Sequence, residues 1–242
     1  MSLIAIVQAR MGSTRLPGKS AKFLCGKPLI WHVVRRVKLA NVDSVVLAVP
    51  REAVSYSWRE AVSDIDVPVV TVGGDPNDLL YRYAYAAKIY DADTVVRVPA
   101  DNPCVDPDEI NRIIETFYDY SPVGDWLTSN LDRNINGNNY PGGLGAEVYE
   151  RDFLEWLEEN IKDPELREHP HKWAFKNGRV ITCPCPREIA RPDLRFDVNT
   201  IDDFAYIKDI YGSLYPVNEV FKSQDIMRYL DEKAQKEKRK EG

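Results

Sequence analysis

A chain of 242 residues is long for one domain and short for two, and its 44% hydrophobic content is enough for a substantial core. A net charge of −6 argues against general nucleic-acid or anionic-membrane partners, and no apolar run reaches transmembrane length. Cys25, Cys104, Cys183 and Cys185 are too few for a disulfide scaffold, which points to reduced thiols and a cytoplasmic protein.

Leu3 to Val7 is an apolar, β-branched run that reads as a buried strand, without the charged lead of a signal peptide. It stops at Gln8 and gives way to a loop carrying Arg10, Gly12, Ser13, Thr14, Arg15, Pro17, Gly18 and Lys19. A P-loop needs four residues between its glycines, whereas five separate Gly12 from Gly18-Lys19-Ser20 and Pro17 removes a donor. Lys27 to Val37 carries a helical pattern, with Leu29, Ile30, Val33, Val34 and Val37 on one face. Ser44 to Val49 is a second strand, Glu52 to Val62 a helix, and Val67 to Val72 a third strand. Gly73-Gly-Asp-Pro76 breaks the chain before an amphipathic helix marked by Leu79, Leu80, Tyr83, Ala87 and Tyr90. Thr94 to Val98 is a fourth strand, followed by Pro99-Ala-Asp101-Asn-Pro103 and a helix over Pro107 to Tyr120. Four alternations of strand and helix predict an α/β fold with a mostly parallel sheet covered on both faces.

Past residue 120 the regularity fails. Trp126 to Ser129 reads as a strand, and Asn130 to Gly145 as a long loop or an arm that orders on a partner. Ala146 to Tyr149 is a short strand, Asp152 to Ile161 a helix, and Glu165 to Phe175 another short helix. Val180 to Cys183 and Leu194 to Val198 read as strands, and Ile201 to Tyr211 as a helix. A last helix starts near Asn218, and residues 231–242, with five cations and four acids, are expected to fray. The expectation is one domain over 1–230 with a charged tail.

A basic loop with glycines at the carboxyl end of a first strand is where an open α/β sheet holds an anion, here a phosphate chain. A solvated surface turn is the plainer alternative. Asp101 follows strand four and should share that edge, where a carboxylate beside phosphates suits Mg²⁺. In a strand, Asp197 and Asn199 point to one face and offer further ligands. Asp101 as a helix cap, and Asp197 paired with Arg195 or Arg191, are the alternatives. Cys183-Pro-Cys185 and His169-Pro-His171 lack the spacing of a zinc finger or ribbon.

Val7-Gln-Ala-Arg10-Met-Gly-Ser-Thr-Arg-Leu-Pro-Gly18-Lys19 resembles the signature of the cytidylyltransferases of the spore-coat polysaccharide protein F group. More distantly it is similar to the synthetases of CMP-sialic acid and CMP-KDO. Gly74 to Tyr83, Val96 to Pro103, Tyr140 to Val148, Arg167-Glu168-His169 and Arg195 to Phe204 resemble later motifs of the same family, in order.

The resemblance implies a nucleotide-diphospho-sugar transferase-like (GT-A-like) three-layer fold and a Mg²⁺-dependent transfer of CMP from CTP to a sugar or sugar-like acceptor, releasing pyrophosphate. It implies a homodimer, embraced through an arm near residues 130–142. By the same resemblance Arg10, Lys19 and Asp101 are catalytic, and Gln8, Ala9, Gly12, Ser13, Arg15, Asp78 and Arg82 lie near the nucleotide. Glu147, Glu168 and His169 face the acceptor; Asp101, Asp197 and Asn199 hold the metal. The chain departs from the pattern where Asn199 replaces an Asp and where Gly142 and Gly145 replace acids. A glycosyltransferase on the same fold and a nucleotide-binding protein without turnover are the rival readings. Release of free pyrophosphate separates them.

Overall fold

The computed structural model describes residues 1–51, 57–120, 127–129 and 139–241. In chain order, β1 (Leu3–Gln8) leads through the basic loop to a small hairpin, β2 (Phe23–Leu24) and β3 (Lys27–Pro28). Cys25 and Gly26 form its turn with φ of 44° and 83°, so the helix expected from Lys27 begins at Leu29. That helix is α1 (Leu29–Val37), followed by β4 (Ser44–Pro50), α2 (Trp58–Ala61), β5 (Val69–Val72), α3 (Leu79–Ile89), β6 (Thr94–Pro99) and α4 (Pro107–Tyr120). Then come β7 (Leu127–Ser129), β8 (Glu147–Glu150), α5 (Arg151–Asn160), α6 (Pro164–Glu168), α7 (His171–Lys176), β9 (Val180–Thr182), α8 (Ile201–Leu214) and α9 (Ser223–Glu241).

Seven strands form one sheet in the order β5-β4-β1-β6-β8-β7-β9. The first four run parallel; β8 pairs antiparallel with both β6 and β7. β1 is buried at every position because its two faces feed two cores. Ala5 and Val7 pack in the cluster that includes α1, α4, α8 and α9, whereas Ile4 and Ile6 pack with Leu80, Tyr83 and Phe153 of α3 and α5. The chain moves outward from β1 to β4 and β5, then returns to place β6 on the other side of β1. The reversal therefore falls between β1 and β6, whose ends Gln8 and Pro99 are register partners. The carboxyl edge of that pair is where open α/β sheets bind ligands.

Three expectations need correction. The helix over Glu165 to Phe175 is two helices, α6 and α7, because Pro170 forces His169 out of helical geometry (φ −128°, ψ 71°). Leu194 to Val198 is not a strand in the sheet. It makes one parallel bridge, Gly142 to Arg195, and its amides at Phe196 and Val198 donate to Gly142 and Asp101 instead of a ladder. Residues 231–241 continue α9: they are mostly good helix formers, Lys233 pairs with Asp209 at 2.7 Å, and basic residues fill the last turn. The helix expected over Glu52 to Val62 is observed only as α2, capped by Ser57, and 52–56 lie outside the described residues. Trp126 and most of the expected arm, residues 130–138, also lie outside them. No helix among the described residues is long and apolar enough to cross a membrane.

α9 is fixed by polar contacts as well as by buried Ile226 and Met227. Asp106 Oδ2 accepts from both the amide and hydroxyl of Ser223, and the buried Arg36 donates to the carbonyls of Val105 and Phe221. Nearby, His32 is 2% exposed, ringed by Trp31, Tyr211 and Tyr215, and its Nε2 lies 2.8 Å from the carbonyl of Leu24. Burial lowers its pKa from 6.5 to about 4. The unfolded chain therefore takes up this proton before the folded one as pH falls from 6.5 to 4. His32 should cost about 3 kcal/mol of stability across that window and nothing above it. Urea denaturation of His32→Gln, which keeps an N–H donor, should show a flatter loss of stability between those pH values. Equal slopes for variant and wild type would refute the assignment.

Candidate active site

The loop after β1 folds back on itself: the amides of Ser13 and Gly18 both donate to the carbonyl of Met11. Gly18 takes a φ of 67°, and a single 3₁₀ turn over Lys19–Ala21 follows. This turn returns Lys19 to the sheet edge. Its ammonium lies 2.6 Å from Asp101 Oδ2 and 2.8 Å from the carbonyl of Val198, with Asn199 Oδ1 at 3.5 Å. Arg15 donates to the same Asn199 oxygen at 2.7 Å. Arg10 donates to Asn77 and, at 2.6 Å, to Glu168. Asp101 is not spent on capping α4, whose first turn is capped by Asp106 through the amide of Asp108. The cavity enclosed here, about 240 Å³, has Gln8 and Pro99 at the strand ends and Glu168, His169 and Asn199 on its far wall.

A second cavity of about 670 Å³ continues past Asp101 and Asn199 toward β8. Glu147 sits at its floor, 1% exposed, directly opposite Arg97 in the β6–β8 register. Arg97 Nη1 and the Tyr149 hydroxyl donate to Glu147 Oε2 at 2.7 and 2.8 Å, and His171 Nδ1 lies 3.3 Å from Oε1. Burial alone would raise this carboxyl, but Arg97, His171 and Tyr149 outweigh it and hold it below the usual range. Burial and the neighbouring Lys172 lower the pKa of His169, which stands between the two cavities. Asp197 is gripped by Arg195 through Nε at 2.9 Å and Nη2, and it accepts from the Asn199 amide.

Of the residues singled out from the sequence, Gln8, Ala9, Arg10, Ser13, Arg15, Lys19, Asp101, Glu168, His169 and Asn199 line the first cavity. Glu147 and Asp197 line the second. Gly12, Asp78 and Arg82 line neither. Asp78 caps α3 and pairs with Arg167 at 2.7 Å, while Arg82, 2% exposed, donates to the carbonyl of Pro76. Both therefore brace the turn before α3, and the Asp78–Arg167 pair ties that turn to the residue before Glu168. Arg97 and Lys172 were not foreseen, and His171 was weighed only as a zinc ligand. A lone arginine inside the apolar run Val95 to Val98 of a buried strand was a readable signal, since such a charge needs a partner. Cys183 is buried beside Thr116 and Tyr140, and no three His, Cys, Asp or Glu side chains among the described residues form a metal cage.

Gly143 sets how closely the 140–147 segment approaches the 195–199 segment. Its φ is 88°, and a Cβ there would lie 2.4 Å from the amide nitrogen of Asp197 and 2.6 Å from the Phe196 carbonyl carbon. Gly143→Ala should lower stability by about 2 kcal/mol or more and displace Arg195 and Asp197, as denaturation and the amide NMR shifts of 195–199 would report. An alanine variant of unchanged stability and shifts would rule out this packing.

Comparison with known proteins gives the site its family. A family model described as cytidylyltransferase matches residues 4–163 of this chain. The 3-deoxy-manno-octulosonate cytidylyltransferase of Trichlorobacter lovleyi is 34% identical over 195 residues, covering 75% of this chain and 71% of that protein. The spore coat polysaccharide biosynthesis protein SpsF of Bacillus subtilis is 25% identical over 219 residues, covering 86% of each. A solved cytidylyltransferase from Leptospira borgpetersenii matches with a TM-score of 0.85 at 25% identity, covering 97% of this chain and 96% of that one. With its nucleotide-sugar-transferase-like sheet and the basic loop at its edge, this chain belongs to the cytidylyltransferase family.

Proposed function

We propose that this protein transfers CMP from CTP to a sugar or sugar-like acceptor, releasing pyrophosphate, in the synthesis of a surface polysaccharide or glycan precursor. The observation that carries the reading is the convergence of Arg10, Arg15 and Lys19 on the reversal point of the sheet, in a chain of this family. Family membership favours CMP transfer over the glycosyltransferase alternative. Attack on the α-phosphorus builds charge on the phosphoryl oxygens and on the departing pyrophosphate, so catalysis is mainly positioning and electrostatics. Arg10 and Lys19 neutralise the β- and γ-phosphates, exchanging Glu168 and Asp101 for phosphate oxygens as the nucleotide enters. Arg15 and Gln8 border the same path. The acceptor occupies the second cavity, against Glu147 and His169, while Glu168, which the resemblance also turns toward the acceptor, lines the first.

A divalent cation fits the donor chemistry. The Lys19 ammonium already stands as a cation among the oxygens of Asp101, Val198 and Asn199, and all three are hard ligands of the kind Mg²⁺ takes. Asp101, Asn199 and Asp197 would hold the ion, which when bound supplies Lewis-acid neutralisation of the phosphates. Asn199 contributes a neutral oxygen where a carboxylate would bind more strongly. The working unit we take to be a homodimer, as the family resemblance implies, in the cytoplasm, as its few cysteines suggest.

Thermal shifts with CTP, UTP, ATP and GTP, each with and without Mg²⁺, test the reading. CTP at about a hundred times its dissociation constant adds roughly 2.7 kcal/mol and should raise the midpoint by several degrees, only with Mg²⁺. Pyrophosphate release should follow with an acceptor from a panel of 3-deoxy-manno-octulosonate, related keto sugar acids and sugar phosphates. A midpoint that no triphosphate moves would refute the function. Lys19→Ala should cut turnover by about 10²–10³-fold in a folded protein; near-normal rates would remove Lys19 from the mechanism. Asn199→Asp should tighten Mn²⁺ in the presence of CTP by roughly tenfold, read by electron paramagnetic resonance.

A further inference from the structure

We propose that His171, oriented by the buried carboxylate of Glu147, is the general base that takes the proton of the acceptor's attacking hydroxyl. This rests on the cytidylyltransferase reading and goes beyond it, because it makes the attacking group a hydroxyl and not a phosphate oxygen. Glu147 Oε2 is occupied by Arg97 and Tyr149, and Oε1 lies 3.3 Å from His171 Nδ1, a close charge contact short of hydrogen-bond geometry. A carboxylate on that side favours the proton on Nδ1 and leaves Nε2 as the basic nitrogen. It also stabilises the imidazolium that forms on proton uptake, the division of labour found in carboxylate–histidine pairs of hydrolases. His171 opens α7 immediately after Pro170, its side chain is 20% exposed, and it lines the acceptor cavity but not the nucleotide cavity.

The other groups that could accept the proton are worse placed. Asp101 lines the nucleotide cavity and would hold the divalent cation, and Asp197 is held by two bonds from Arg195. His169 is a weaker base, its pKa lowered by burial and by Lys172. The charged and titratable groups around His171 are Arg97, Glu147 and Tyr149 from the sheet, His169 before it, Lys172 after it, and Arg195 and Asp197 across the cavity. A phosphate acceptor would arrive already ionised and leave this pair without a task. In the step, the hydroxyl proton passes to His171 Nε2 and the oxygen bonds to the α-phosphorus of CTP. The bond from that phosphorus to the bridging oxygen breaks, and pyrophosphate leaves with the electron pair. His171 then returns its proton to water.

The test combines kinetics with NMR on the full chain. With CTP and an acceptor that reacts through a hydroxyl, His171→Gln should slow pyrophosphate release by 10²-fold or more. It should also remove the acid limb of the kcat/KM pH profile and leave the CTP-induced thermal shift intact. Glu147→Gln should move that limb to lower pH. The chain has three histidines, so ¹⁵N imidazole spectra resolve each one. The resonance lost in His171→Gln should carry its proton on Nδ1, even if Glu147→Gln proves poorly folded. A proton on Nε2, an unchanged acid limb, or turnover only with phosphate acceptors would overturn the base assignment and leave CMP transfer standing. Absence of any triphosphate binding by the wild type would overturn both.

Discussion

The contact on which the site depends is the Lys19 ammonium held by Asp101, the Val198 carbonyl and Asn199. It joins the loop after β1, the end of β6 and the segment before α8, which are distant in sequence and share no ladder. Lys19 and Asp101 are 14% and 27% exposed, so water screens their attraction only in part. A cation drawn this far from solvent must be met by oxygens, and three of them meet it. The pairing with Arg10 and Arg15 repeats the logic. Each cation is satisfied within the protein, so an anion bound there would exchange partners, and its affinity would be a difference between two sets of contacts.

Burial divides the work between the two cavities. In the first cavity the ion pairs are partly exposed and can open at modest cost. At the floor of the second cavity, Arg97 and Glu147 are 7% and 1% exposed, and removing either would strand a buried charge at about 3–5 kcal/mol. One edge is built to exchange and the other to stay fixed. Glu147 is thereby held in a single orientation, with one oxygen committed to the sheet and one turned toward α7.

The alternating half of the chain was legible because its periodicity and burial agree. β1, β4, β6 and α4 lie within a residue or two of their expected limits, since continuous apolar runs in a parallel sheet admit few alternatives. The basic loop and Asp101 were legible for the same reason, because topology alone puts strand ends on one edge. What sequence reading missed depends on tertiary context. Pro170 splits a helix that its composition would continue, and by doing so presents His169 and His171 on either side of a bend. Residues 194–198 look like a strand but find only isolated partners. The tail of α9 is charged on most sides, yet Arg191–Asp231 and Lys233–Asp209 pairs tie it to the body of the protein. The pairing of Arg97 with Glu147 across β6 and β8 follows only once the antiparallel register is known.

Asn199 shows how a departure from a family pattern acquires meaning from geometry. Its amide oxygen accepts from Arg15 and lies within reach of Lys19, while its nitrogen donates to Asp197. Hydrogen bonds to a charged acceptor are roughly twice as strong as those to a neutral one. A carboxylate at this position would therefore hold Arg15 and Lys19 more firmly and oppose their release to a triphosphate. It would also lose the N–H that now reaches Asp197, leaving two carboxylates in contact with only Arg195 to offset them. The amide thus lets Asp197 and the 199 position face one another without a bound cation, at the expense of a weaker ligand when one is present. On the proposed reading, the amide that would weaken a cation ligand would also leave Arg15 and Lys19 free to turn to an incoming anion.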